Sequence, residues 1–218
     1  IKGSLHPAFL ITGLIGDIFG AGDPKVDFWG PSSRSWAPGS LNLAQNMGEI
    51  YFGALPAIVI LTIGVTRGML WAREIRVFTV ALAFVTLYAL GGYTPCFRLF
   101  YDWLPGVAGF RRPADATFFI GGIGAVLGGY LIHRIMVGEL GRTGLAKSAY
   151  KFVVLAGCFA LALFVAWRTQ HLPEALKPVA LAAAIALSGV LILRALRVHA
   201  RAHPVIAAAV LAGFMVLD

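Results

Sequence analysis

The chain has 218 residues, of which 59% are hydrophobic and only 13% charged, and its net charge is +8. Soluble domains average about 25% charged residues, so this composition excludes a disordered chain, a fibrous protein and a water-soluble globule. An integral membrane protein remains, provided its apolar residues run in blocks long enough to cross a bilayer.

Residues 1–49 differ in kind from the rest. Gly3–Gly16 is apolar but short, and it carries Pro7, Gly13 and Gly16, so it reads as interfacial or re-entrant. Asp23, Pro24, Asp27, Gly30, Pro31, Ser32, Ser33, Pro38 and Gly39 then give a loop composition. Trp29 and Trp36 suit headgroup depth, as ordinary aromatic-belt residues. An ordered outer-face loop is expected over 1–49, and a transmembrane helical region over 50–218.

Charge-free windows follow at 50–66, 77–97, 116–133, 152–167, 178–193 and 202–217. A helix rises about 1.5 Å per residue, so roughly 20 residues cross a 30 Å hydrocarbon core. The shorter windows gain about a turn from flanking Lys and Arg, whose stems lie in the apolar layer while their charges reach the interface. The fold class is therefore all-α: a polytopic transmembrane bundle of five to six spans, with short interfacial helices. The spans are placed near 50–66, 77–94, 116–133, 152–167, 178–193 and 202–217. Continuous apolar runs exclude a β-barrel, whose strands alternate.

Glu49 precedes the first window, where a helix N-terminus would favour its charge, and Pro56 is expected to kink that helix. The second window closes in Gly91-Gly-Tyr-Thr-Pro95, which breaks the helix, and residues 97–104 read as a short amphipathic interfacial helix. Next comes Phe110-Arg-Arg-Pro-Ala-Asp115, directly before a span. Pro113 and Asp115 can start that helix while the arginines meet lipid phosphates. Alternatively, the guanidinium forks grip a phosphate or pyrophosphate, whose oxygens they match bidentately.

In the third window, Gly124 and Gly128 form a GxxxG pair that lets another helix approach closely. No strand precedes this glycine run, so a dinucleotide site is not expected. The last three windows hold no ionisable residue at mid-depth, which argues against an ion-coupled transporter core. His133, His199 and His203 sit at window edges as interfacial residues. Cys96 and Cys158 fall at different depths, so a disulfide is not expected, and neither has metal-site spacing. No metal and no cofactor are expected.

Charge is unequal between the two sides. Segments 67–76, 134–151 and 194–201 carry ten basic residues against Glu74 and Glu139, whereas the opposite segments carry eight basic and seven acidic residues. The first side is placed in the cytoplasm. These charges flank spans and face anionic lipid, and no basic stripe interleaved with aromatics points to nucleic acid. The chain opens on Ile1 and stops at Asp218 beside an apolar run, which suggests a piece of a longer protein.

Three stretches carry a family resemblance: Ser4-Leu-His-Pro-Ala-Phe-Leu-Ile-Thr12 with Asp17-Ile-Phe-Gly20; Glu49-Ile-Tyr-Phe-Gly-Ala-Leu-Pro56; and Leu104-Pro-Gly with Phe110-Arg-Arg-Pro113. In this order they resemble the YfhO-like bacterial membrane proteins, which are related to the GT-C glycosyltransferases. The resemblance implies a multi-pass inner-membrane protein that transfers a sugar from a polyprenyl-phosphate donor at the outer face. It places the catalytic acid in a first outer loop that no residue here matches. The family's Phe-Arg-x-Pro-x-Arg motif matches at Phe110, Arg111 and Pro113, while Asp115 stands in place of the second Arg, and Arg112 can supply the lost charge. Donor-phosphate contacts are expected from Arg111, Arg112 and Arg98, beside a pocket drawing on Glu49, Tyr51, Tyr93, Asp115 and Trp29. Membrane lipids and a lipid-linked sugar are the expected partners. The competing readings are a non-catalytic membrane scaffold or assembly subunit, and a transporter of lipid-linked intermediates.

Overall fold

A computed structural model describes residues 3–22, 25–33, 36, 45–103, 105–107, 112–138, 145–199 and 204–218. Every regular element among them is helical. The α-helices are α1 (Ala54–Val59), α2 (Arg76–Ala89), α3 (Cys96–Trp103), α4 (Thr117–Met136), α5 (Leu145–Arg168), α6 (Leu172–His199) and α7 (Pro204–Leu217). Three stretches are long and apolar enough to cross a membrane: Arg76–Tyr93, Pro113–Met136 and Leu172–Leu196. Ala54–Gly64, Phe152–Arg168 and Val205–Val216 are shorter apolar helices.

The outward faces suit lipid. Val77, Phe78 and Val80 on α2, Phe118 and Phe119 on α4, and Leu181, Leu187 and Leu191 on α6 are all exposed. In water such contiguous apolar surface would drive association, whereas lipid tails solvate it.

Helix α4 is the centre of the bundle, packing on α1, α2 and α6. Its GxxxG pair receives the chain around α1. A Cβ on Gly124 would lie 2.9 Å from the Phe52 ring, and one on Gly128 would strike Pro56. Pro56 itself is the third residue of α1, where a missing amide leaves no hydrogen bond unmade. Pro56 therefore stands in the first turn of α1, not two turns into a helix where a kink was expected. The irregularity falls later, as a π-helical turn over Ile60–Gly64.

The break after α2 follows the sequence reading. A 3-10 turn over Gly91–Tyr93 leads into the amphipathic α3. The broken backbone is satisfied by protein: Leu5 N–H donates to Ala89 O at 2.8 Å, and Gly92 N–H donates to Ser4 Oγ at 2.9 Å. Here lies the main surprise of the fold. The N-terminal segment, with its 3-10 helix Pro7–Gly13, supplies the most buried side chains, and Leu5, Phe9, Ile15, Ile18 and Phe19 share one core with Ala54, Ile58, Ala162 and Ala182.

Trp29 is likewise buried, so it is not an aromatic-belt residue. Its ring stacks on His171 at 5.3 Å and 5°, and Phe19 meets it edge-on at 4.8 Å. Aromatic surface enclosed on both sides gains more than it would at a headgroup boundary. Trp36 anchors the same loop by donating from Nε1 to Trp29 O at 2.8 Å. Both cysteines are free.

Candidate functional site

Two stretches of the chain, 12–22 and 48–53, are held together by one buried hydroxyl. Thr12 Oγ1 lies 2.8 Å from Gly48 O and 2.7 Å from Phe9 O, and it accepts from Ile50 N–H at 3.1 Å. A buried polar group must find partners, and Thr12 finds them in both stretches. Gly16 then lies flat on the Tyr51 ring, where an added Cβ would sit 3.2 Å away. This fixes the two stretches in register and brings Asp17 beside Glu49.

Asp17 adopts a left-handed backbone, with φ of 54°, and its carboxylate accepts from Gly22 N–H at 2.6 Å. Asp is among the few residues that tolerate this conformation, because its short side chain bonds locally. The turn aims the Asp17 amide at Glu49 Oε2, 3.3 Å away. Glu49 Oε1 is buried and has no hydrogen-bond partner among the described residues.

The two carboxylates line a cavity of about 360 Å³ with Gly16, Gly22, Tyr51 and Asp218, and α6 closes it with Pro178, Leu181, Ala182 and Ile185. Burial pushes the Glu49 carboxyl up to about 7. The Asp17 charge adds to this rise and the Asp17 amide opposes it. A carboxyl in that range holds or releases a proton near neutrality, the property a general acid or base requires.

Opposite Glu49, the Tyr51 hydroxyl donates to Asp218 Oδ1. The same carboxylate accepts from the amides that open α1, Ala54 N–H at 3.1 Å and Leu55 N–H at 3.2 Å. Burial first, and then the Asp218 carboxylate, raise the Tyr51 hydroxyl well above the ordinary tyrosine range, so Tyr51 stays a donor. Glu49 was expected as the helix cap, but α1 starts five residues beyond it, and Asp218 caps it instead.

The other expected site residues are placed as follows. Arg112 is exposed, and its stem packs against Gly3, whose added Cβ would lie 2.9 Å from Arg112 Cγ. Arg98 is exposed on α3, and Asp115 is exposed in the 3-10 turn Pro113–Ala116. Tyr93 is exposed and meets His6 edge-on at 5.0 Å. Trp29 is in the core. Arg111 lies outside the described residues. Neither the Glu49 cavity nor the apolar groove beside it is lined by Arg98, Arg112, Tyr93, Asp115 or Trp29.

The structure thus brings Glu49 and Tyr51 together and adds Asp17, from the loop expected to border an outer-face cavity, and Asp218, neither of which sequence reasoning named as a site residue. Asp17 carried a local signal, an acid directly before Ile-Phe-Gly20 in a stretch too short to span. Asp218 carried none, because its partners are more than 160 residues away. No group of three His, Cys, Asp or Glu side chains suited to a metal occurs among the described residues.

The architecture and site together define an all-helical protein with membrane-length apolar helices and a carboxylate-lined cavity at one end of its bundle. Comparison with family models, curated proteins and solved structures gives no match to this chain.

Proposed function

We propose that this chain is the membrane region of a GT-C-like, YfhO-like glycosyltransferase in the bacterial inner membrane. Its six apolar helices serve as five to six spans, and the cavity end faces outward. The observation that carries the reading is the meeting of the three stretches of the resemblance on one continuous segment. Residues 3–22 touch Arg112 at Gly3 and Glu49 at Asp17, two groups separated by more than 60 positions in sequence.

In this reading a polyprenyl-phosphate donor presents its sugar at the interface. Glu49, near its midpoint of protonation at neutral pH, takes the proton of the acceptor hydroxyl as the new glycosidic bond forms, in the role that the resemblance gives to an outer-loop acid no residue here matches. The bond to the donor phosphate breaks, and the leaving phosphate is stabilised by Arg111, Arg112 and Arg98. Asp17 positions Glu49 through its amide, while burial holds the proton affinity of Glu49 up.

The test is transfer by the full-length protein in proteoliposomes, with a polyprenyl-phosphate sugar as donor. Glu49→Gln keeps the shape but accepts no proton, and a positioned base contributes about 10²- to 10⁴-fold, so a loss of that size is expected. Arg112→Lys should lose less than Arg112→Ala, because Lys keeps the charge without the fork. Full activity in Glu49→Gln would remove Glu49 from the chemistry. Absence of transfer by the wild-type protein, with binding partners instead recovered at the cavity end, would favour a scaffold.

A further inference from the structure

We propose that the groove between the N-terminal segment and α5 holds one acyl chain of an anionic phospholipid from the surrounding bilayer, with its phosphate at Arg168. This goes beyond the transfer reading and does not rest on it.

The groove has a volume of about 440 Å³. One wall is the N-terminal segment, including Leu10, Leu14 and Phe19, and the other is the α5 face, including Cys158, Leu161 and Val165. Among the described residues, no charged side chain and no hydroxyl lines it. A polar ligand would lose its hydration there without recovering hydrogen bonds. A hydrocarbon chain loses nothing.

Two observations choose a bilayer lipid over a peptide or a second protein. First, the groove is continuous with the lipid-facing surface, because its own rim residues Leu10 and Leu161 are 39% and 57% exposed. A chain can slide in sideways from the membrane without crossing a polar layer. Secondly, the helix that forms the groove ends in the matching headgroup chemistry. Positions 158, 161 and 165 recur at helical spacing, and 168 continues that face by one turn. Arg168, exposed, stands there at the end of α5, beside the exposed Trp167. A cation and an indole one turn beyond an apolar stripe suit the boundary between phosphate and acyl chain.

The segment from Leu14 to Phe19 is a shared wall. Leu14, Ile18 and Phe19 face the groove, while Gly16 and Asp17 face the Glu49 cavity. A chain seated in the groove therefore buttresses the turn that positions Asp17.

The experiment uses the full-length protein in nanodiscs containing phosphatidylglycerol or phosphatidylcholine, each with a diazirine in the acyl chain. Photolabelling of the α5 segment is read by peptide mass spectrometry and normalised to the exposed α6 face around Leu187. Cys158→Phe and Leu10→Trp fill the groove from opposite walls, so the result survives if either variant fails to fold. Both should lower α5 labelling several-fold, and Arg168→Gln should abolish the preference for phosphatidylglycerol. Equal α5 labelling in wild type and the filled variants would reduce the lipid to the ordinary annular layer and overturn the proposal. Equal labelling by the two lipids in wild type would overturn the phosphate contact. A polyprenyl phosphate that displaces the label stoichiometrically at low concentration would overturn the phospholipid assignment.

Discussion

The backbone amide of Asp17 donates to the Glu49 carboxylate across 3.3 Å, while the Asp17 side chain turns away to accept from Gly22. One residue therefore acts on Glu49 in two opposed ways. Its amide favours the carboxylate, and its own negative charge favours the acid. Burial is the largest influence and favours the acid, and the result is a carboxyl held near 7 instead of 4.5. The other oxygen of Glu49, enclosed and without a partner among the described residues, leaves the charged form only partly compensated.

The sign of the resulting pH dependence follows from linkage. Folded Glu49 binds a proton that the unfolded chain releases near 4.5. Stability from this group is fully present below that value and is lost as pH rises through about 7. Thermal unfolding in detergent should show a falling midpoint between pH 5 and pH 8. Glu49→Gln should flatten this slope and raise the midpoint at pH 8. An unchanged slope in the variant would assign the pH dependence elsewhere.

Asp218 joins the end of α7 to the start of α1 through Tyr51, Ala54 and Leu55. Asp218→Ala removes the Leu55 amide's acceptor and leaves the Ala54 amide with the Tyr51 hydroxyl alone, at a cost of about 1–3 kcal/mol. Tyr51→Phe removes both contacts of one hydroxyl, its donation to Asp218 and its acceptance from Ala54 N–H at 3.1 Å, and should cost about 1–2 kcal/mol. The two act on one network, so the double variant should lose less than the sum. Additive losses in thermal midpoint would mean that the contacts are independent.

The unequal charge of the two sides gives a topological outcome. Single cysteines at positions 70 and 142 should resist an impermeant thiol reagent in intact cells and react after permeabilisation, because the basic excess belongs in the cytoplasm. Cysteines placed at 27 and 171 should react from outside. Labelling at 70 from the outside would invert the bundle.

The parts legible in sequence were those governed by local rules. Gly91 to Pro95 announces the end of α2, and the alternation of Phe97, Arg98, Leu99, Phe100 and Asp102 announces α3, because turn chemistry and helical amphipathicity act within a few residues. The burial of residues 3–19 was not legible. A short apolar stretch with Pro7 and Gly13 has the same composition at an interface as in a core, and only tertiary packing distinguishes the two. Trp29 was misread for the same reason, since its stacking partner His171 is remote in sequence. The Glu49 pocket was half legible. Glu49 and Tyr51 sit in a recognisable stretch, whereas the positions of Asp17 and Asp218 depend on Thr12, Gly16 and the α7 end meeting α1.

Adjacent glycines of α4 give the sharpest test of its packing. Gly128 faces Pro56 so closely that any side chain must displace backbone, whereas a Cβ on Gly129 meets nothing within 4 Å among the described residues. The two positions share helix propensity, depth in the apolar layer and sequence neighbourhood. Only the surroundings differ. Gly128→Leu should therefore separate α1 from α4 and cost about 1–3 kcal/mol or more, as overpacking of a tight contact does. Gly129→Leu should be close to neutral in the folded monomer, and replacing Gly inside a helix would even favour helix formation. Equal destabilisation by both variants would mean that Gly129 is covered in the membrane by another helix, and that the α4 face open in this bundle is itself an interface.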